Sequence, residues 1–245
     1  DEWLKKRDNS MNNFTLQVKI KQRLNKLDSQ DYDNLQCWQI VEAFNKAQLQ
    51  WVRRQIQGIN ITKTGDEQTK TRIDDLQILL KETPIDLKES DLYVQSDPLP
   101  SDYMAFKRIH GHAKKDCCDN PMRMTITYLA EEENVPLLLS DDLKKPSFEW
   151  GETFCTLVSN RLRIYTNNEF LMQDTSIMYY RKPQMIQIDG CVDPYTTQLS
   201  TKEVPCEFKD DIAETLIDEA VQILAGDIEA MNEYQIASQS TQENT

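Results

Sequence analysis

Met122–Ala130 reads MRMTITYLA. Its alternation of Met122, Met124, Ile126 and Tyr128 with Arg123, Thr125 and Thr127 is the two-residue period of a β-strand, not the period of a helix. Outward from it the same texture repeats. DLYVQS and YMAFKRIH come before, and FCTLVSN, RLRIYTN, FLMQDTSIMYYRK and QMIQID come after. Each is short, rich in β-branched or aromatic residues, and bounded by turn formers. Residues 91–190 therefore read as an antiparallel β-rich module.

Both flanks are helical. In TLQVKIKQRLNKL the residues Leu16, Ile20, Leu24 and Leu27 form one stripe, with Lys19, Lys21, Arg23 and Lys26 on the other faces. A second helix runs from about Asn34 to Gln57, with Ile40, Phe44, Ala47 and Trp51 at its centre and Leu35, Trp38, Val41 and Val52 widening the stripe. Gly58 suits the position after its end, and Arg53 and Arg54 suit the negative end of its dipole. TKTRIDDLQILLKE reads as a third helix stopping before Pro84. After the β-rich module, Ile212, Leu216, Ala220, Ile223, Leu224, Ile228 and Met231 mark a last helix, with Asp211 and Glu214 spaced as a capping pair.

The fold expected is α+β: a helical body, in which the N-terminal helices pack with a long C-terminal helix, carrying an inserted antiparallel β-rich arm. Residues 1–13 form an N-terminal extension, 14–83 the first part of the body, 84–207 the β-rich insertion, 208–233 the closing helix and 234–245 a polar tail.

The 245 residues hold 28 Lys and Arg against 41 Asp and Glu, a net charge of −13. That balance argues against a general grip on nucleic acid, which needs a basic face. The charge is uneven: residues 1–60 carry 10 basic and 7 acidic side chains, residues 201–245 carry 2 and 11. Solvated faces explain this, or a head-to-tail contact in which the basic part of one copy meets the acidic part of the next. No apolar run approaches the ~20 residues of a membrane span, and DEWLKKRDNS has no apolar core of a signal peptide. The six cysteines, Cys37, Cys117, Cys118, Cys155, Cys191 and Cys206, are too sparse for a disulfide scaffold and are expected to be reduced.

The two histidines stand together in HGHAKKDCCDNP. On a strand His110 and His112 share a face, so with Cys117 they offer at most three metal ligands or a thiol site. Lys114 and Lys115 would repel a cation, and the stretch lies between two strands, so a hairpin turn is the plainer reading. Six glycines leave no phosphate-cradling loop, and acid pairs such as Asp74–Asp75 fall at loop edges or helix starts as solvated caps. Neither catalytic residues, nor a cofactor, nor a metal site is expected. In YYRKPQ, Tyr179, Tyr180, Arg181 and Lys182 suit contact with nucleic acid or with another subunit.

Several long stretches in order, among them WQIVEAFNKAQLQWVRRQIQG, GDEQTKTRIDDLQILL, LPSDYMAFKRI, KKPSFEWGETFCTL, YYRKPQMIQIDGCVDPYT and CEFKDDIAETLIDEAVQILAGDIE, resemble the ring, or head–tail connector, proteins of crAss-like bacteriophages of gut Bacteroidales. The resemblance covers about residues 14–235. It implies a virion structural protein and portal adaptor, not an enzyme: a homo-oligomeric ring, twelve copies, below the portal, joining capsid to tail and continuing the DNA channel. Implied partners are the chain itself, the portal protein, further ring or tail-barrel proteins, and genomic double-stranded DNA passing without sequence-specific binding. No membrane is involved, and assembly is in the infected bacterial cytoplasm. On this footing Ile228, Met231, Tyr234 and Gln235 are expected to meet the portal, and Arg53, Arg54 and Tyr179–Lys182 a neighbouring subunit. The alternatives are a metal- or thiol-dependent enzyme at His110, His112 and Cys117, and a nucleic-acid-associated protein.

Overall fold

The computed structural model describes residues 11–24, 35–57, 73–115, 122–227 and 238–239. The chain is mixed α+β and divides into two compact units, residues 79–182 and, on either side of them in sequence, residues 1–78 with 183–245.

The first unit holds one eight-stranded sheet. Its strands are β1 (Leu80–Pro84), β2 (Leu87–Glu89), β3 (Tyr93–Ser96), β4 (Tyr103–Lys114), β5 (Met122–Leu129), β6 (Glu152–Val158), β7 (Arg161–Tyr165) and β8 (Leu171–Arg181). The order is β1-β8-β4-β5-β6-β7-β3-β2, antiparallel throughout except for the β5–β6 pair. The two edge strands, β1 and β2, are consecutive in sequence and separated only by Ile85 and Asp86. The sheet therefore curls until its edges meet, which removes most of the open edge that a flat sheet exposes. Ile85 N–H continues the ladder to Thr175 O on one side, and Asp97 N–H reaches Asp86 O on the other.

Curling places side chains from distant strands in one interior. Val94, Ile109, Cys155, Leu162, Ile164, Ile177 and Tyr179 form that core. A second apolar layer lies outside the sheet, where the short helix Val135–Ser140 seats Val135 on Phe154 and Tyr165. β6 is thus covered on both faces, which explains its unbroken run of buried residues from Thr153 to Thr156. Asparagine makes the tight corners: Ser159 and Asn160 turn β6 into β7, and Asn167 and Asn168 turn β7 into β8, all four with positive φ.

The second unit is helical. Numbered along the chain, α1 is Asn13–Arg23, α2 is Cys37–Gln57, the short helix above is α3, and α4 is Asp210–Asp227. The Asn12 side chain accepts from Phe14 N–H at the start of α1. Leu16, Ile20 and Leu24 are fully buried, as are Ile40, Phe44 and Ala47 of α2, and Leu216, Ile217 and Ala220 of α4. Burying each larger side chain of this set stabilises the fold by about 1.5–3 kcal/mol. α4 packs on both α1 and α2.

Several expectations are corrected. The third helix ends earlier than expected: residues 73–76 are helical, Gln77–Leu79 form a 3-10 segment, and the chain then becomes β1, while residues 69–72 lie outside the described residues. Pairing with β8 outweighs the helical preference of LLKE, since tertiary context overrides local propensity, and Pro84 is tolerated because β1 is an edge strand. The β-rich insertion ends at Lys182, not 207. Residues 183–207 are held by helices instead: Asn13 Nδ2 donates to Gln187 O and Val204 O, and Asn45 exchanges two hydrogen bonds with Ile186. Asp211 and Glu214 make no capping pair, because the Glu214 carboxylate is taken by Lys19 and Arg23 of α1. The described part of α4 ends at Asp227, so the remainder of the expected 208–233 helix and most of the tail lie outside the described residues, as do Leu27 and Gly58.

Cys37 and Cys191 form a disulfide, with Cα atoms 5.8 Å apart. The expectation of six reduced cysteines therefore fails for this pair. Two cysteines 154 positions apart give no pairing signal in sequence; they meet because 183–207 folds back along α2.

Candidate interaction surfaces

The HGHAKKDCCDNP stretch is less of a turn than expected. β4 continues through His110 and His112 to Lys114, and residues 116–121, including Cys117 and Cys118, lie outside the described residues. Bounded by β4 and β5 it remains a hairpin. Both histidines point to the outer face, opposite Ile126 and Met124 respectively. His112 Nδ1 is buried without a hydrogen-bond partner. Among the described residues no group of three or more His, Cys, Asp or Glu is placed to hold one metal ion. Burial raises the Cys155 thiol to about 12 and also raises that of Cys206, so both stay protonated and unreactive at neutral pH.

YYRKPQ divides. Tyr179 is fully buried in the sheet interior, and its hydroxyl donates to Asp102 Oδ1 at 2.8 Å. Asp102 is also bonded by Lys81, which holds its carboxyl below the ordinary range. Tyr179 is thus a core residue and presents nothing to a partner, contrary to the sequence reading. Tyr180 faces the other way, with Lys107 5.8 Å from its ring centre, and Lys182 is exposed with its ammonium on Ser101 O. Arg181 donates to Lys182 O at the strand end.

Arg53 is exposed, but Arg54 is engaged within the chain, paired with Glu219 of α4. Together with Lys19–Glu214, Arg23–Glu214 and Arg23–Asp218, this shows where the uneven charge is used. The basic N-terminal helices and the acidic C-terminal helix meet within one chain, so the expected head-to-tail contact is not needed to account for these charges. Ile228, Met231, Tyr234 and Gln235 lie outside the described residues.

Glu219 is almost fully buried, and desolvation pushes its carboxyl up to about 7 against the lowering pull of Arg54. The unfolded chain releases this proton near the ordinary value of 4.5. Between those two values the folded state binds more protons, so stability falls as pH rises through the window and levels off above it. The expected loss is roughly 3 kcal/mol. Urea titrations from pH 4.5 to 8 measure it, and Glu219→Gln should flatten the slope. An unchanged slope in that variant would rule Glu219 out as its source.

The feature that sequence reading misses is on β5. Alternation marks which side chains share a face but not which face is inside, and here the apolar set faces out. Met124 is 65% and Ile126 66% exposed, Met122 and Tyr128 are exposed beside them, and Thr125 and Thr127 point inward. Both inward hydroxyls are buried without partners. The reason is visible in the neighbours. Ile109 of β4 and Cys155 of β6 already fill the interior, and β-branched threonine completes it with less volume than methionine or tyrosine. Trp150, 82% exposed, extends the outer row, since Gly151 O accepts from Ile126 N–H. The register sets a polar row beside the apolar one: Lys114 opposite Met122, His112 opposite Met124, His110 opposite Ile126, with Arg108 continuing it.

No protein-family model and no curated protein matches the chain.

A second apolar opening lies in the helical unit. A cavity of about 540 Å³ is lined by Trp38, Val41, Met185, Val192, Tyr195 and Leu199 among others, with the Cys37–Cys191 disulfide at its wall. Tyr195 and Leu199 are exposed at its mouth. Asp193 shapes this loop by accepting from Tyr195 N–H and the Thr196 hydroxyl, which keep its carboxyl below the ordinary range. No helix among the described residues is long and apolar enough to cross a membrane.

Proposed function

We propose that this chain is a virion structural protein that assembles into a ring, twelve copies, below the portal, joining capsid to tail and continuing the DNA channel. The observation that carries the reading is the outward apolar row of β5. β5 is paired with β4 over 122–127 and with β6 over 126–129, and an uncovered apolar outer face on such a strand suits contact with another protein. The resemblance of residues 14–235 to connector proteins of crAss-like phages names the kind of assembly. In this reading the helices, with α4 as the long C-terminal helix, form the body, and the sheet is the arm that contacts neighbours. The chain acts as a building block, not as an enzyme.

The chemistry of the chain agrees with that role. At net charge −13, a ring of such subunits repels DNA phosphates along its lumen and lets the duplex slide without being held. A disulfide suits a protein that leaves a reducing cytoplasm inside a released particle. The proposed partners are the portal, met by Ile228, Met231, Tyr234 and Gln235, and the next ring or tail-barrel protein, met by the sheet near Tyr180, Arg181 and Lys182.

Imaging of purified particles with the chain labelled is the direct test. The expected result is a closed ring of density at the capsid–tail junction. Particles that carry the label elsewhere, or lack the chain, would overturn the proposal. Removing residues 233–245 should abolish portal binding; unchanged binding would overturn the portal assignment alone.

A further inference from the structure

We infer that the outer face of β4 and β5 docks against the acidic α3 segment, Glu131–Leu143, of a second copy of this chain. The inference rests on the ring reading for its occupant and adds the two surfaces that meet.

The receiving face has a definite chemistry. Its apolar row on β5 runs beside Arg108, His110, His112 and Lys114 on β4. Among the described residues neither Arg108 nor Lys114 makes an ion pair. Glu152 of β6 stands opposite Ile126 on the other side of β5, so a complementary surface is apolar at its centre and acidic along the β4 side. Lipid-like or nucleic-acid partners fit less well. A wholly basic face would be needed for phosphates, and here half of the rows is methionine, isoleucine and tyrosine.

The segment following β5 in the chain has the opposite chemistry. Glu131, Glu132, Glu133, Asp141 and Asp142 bracket α3, with no basic residue before Lys144. Leu137, between the two acidic groups, is 69% exposed, and Leu143, directly after Asp142, is 91% exposed. Lys144 and Lys145 fold back on Asp141 and Asp142, and Arg163 takes Glu132. Glu131 and Glu133 keep their charge unpaired among the described residues. Two exposed leucines with an acidic rim match the apolar rows with a basic rim.

The two surfaces cannot satisfy each other within one subunit. α3 is fixed over β6 and β7 by Val135 on Phe154 and Tyr165, and the receiving face is on β4 and β5. A contact between two different surfaces of identical copies is heterologous, so each docking leaves one free surface at either end and the assembly continues until it closes.

The test is photo-crosslinking of the full chain. A benzophenone amino acid replaces Ile126, equal amounts of ordinary and nitrogen-15-labelled chain are mixed, and crosslinked peptides are mapped by mass spectrometry alongside the sedimentation mass. The expected product is a mixed-isotope crosslink from position 126 to a peptide within 131–145. Glu131→Lys with Glu133→Lys should lower its yield roughly fivefold, the worth of two exposed ion pairs, and Arg108→Glu with Lys114→Glu in the same chain should restore it. Mixed crosslinks that map to another segment would overturn the pairing and leave the ring reading standing. A chain that stays monomeric at every concentration, or whose crosslinks are all within one copy, would overturn the docking; particle imaging then decides the ring reading separately.

Discussion

Replacing Cys37 by serine is expected to lower the stability of the chain by about 2–5 kcal/mol and its melting temperature by roughly 10 °C. The disulfide joins residues 154 positions apart, so cutting it restores a long loop to the unfolded chain. The loss is also local. Residues 183–207 contain no regular helix or strand and are held by scattered contacts, among them the Asn13 and Asn45 hydrogen bonds, the Gln187–Val204 bridge, and this bond. Without it the loop around Tyr195 and Leu199 should become the first site of proteolysis. Melting the unaltered protein with and without reductant checks the same point, since reduction should reproduce the variant. Coincident melts of the two forms would show that the bond contributes nothing.

Phe154→Ala should cost about 3–5 kcal/mol. Phe154 is fully buried, stacked on Tyr165 with ring centres 4.8 Å apart, and near Tyr128 at 6.0 Å. It also supports Val135, the anchor of α3, so the cavity would loosen the Glu131–Leu143 segment as well as weaken the sheet. Urea denaturation measures the loss, and hydrogen exchange over residues 135–140 reads the loosening. Phe154→Leu should cost less than half as much, because it retains most of the volume. If alanine and leucine were equivalent, packing at this position would not be what holds α3.

The helical stripes were legible because local spacing alone decides them. Leu16 and Ile20, or Ile40, Phe44, Ala47 and Trp51, recur at the pitch of a helix whatever surrounds them, and they are buried. The strands were legible as short periodic runs for the same reason. Their boundaries were not. Leu80–Pro84 has no strand signature and is a strand because β8 offers it a partner at the sheet edge. Residues 183–207 resemble strands in places, yet the helices claim them.

The candidate site was legible only in outline. Sequence placed His110 and His112 on one face, but the identity of that face depends on β5 and β6. It also marked Tyr179 and Arg54 as surface contacts, whereas the curled sheet encloses the first and Glu219 engages the second. Opposite charge at the two ends of the chain was read as solvated faces or as a contact between copies, whereas α1 and α2 packing on α4 uses part of it within one chain.

MRMTITYLA by itself determined that residues 122–129 form a strand and which side chains share a face. It did not determine which face is inside, because alternation is symmetric: Met, Met, Ile and Tyr can point inward as readily as Arg, Thr and Thr. Only the curled sheet decided that. Its interior is already filled from β3, β4, β6, β7 and β8, and what remains beside β5 takes two threonines. The apolar set is left outside, because the space inside has no room for side chains of that size.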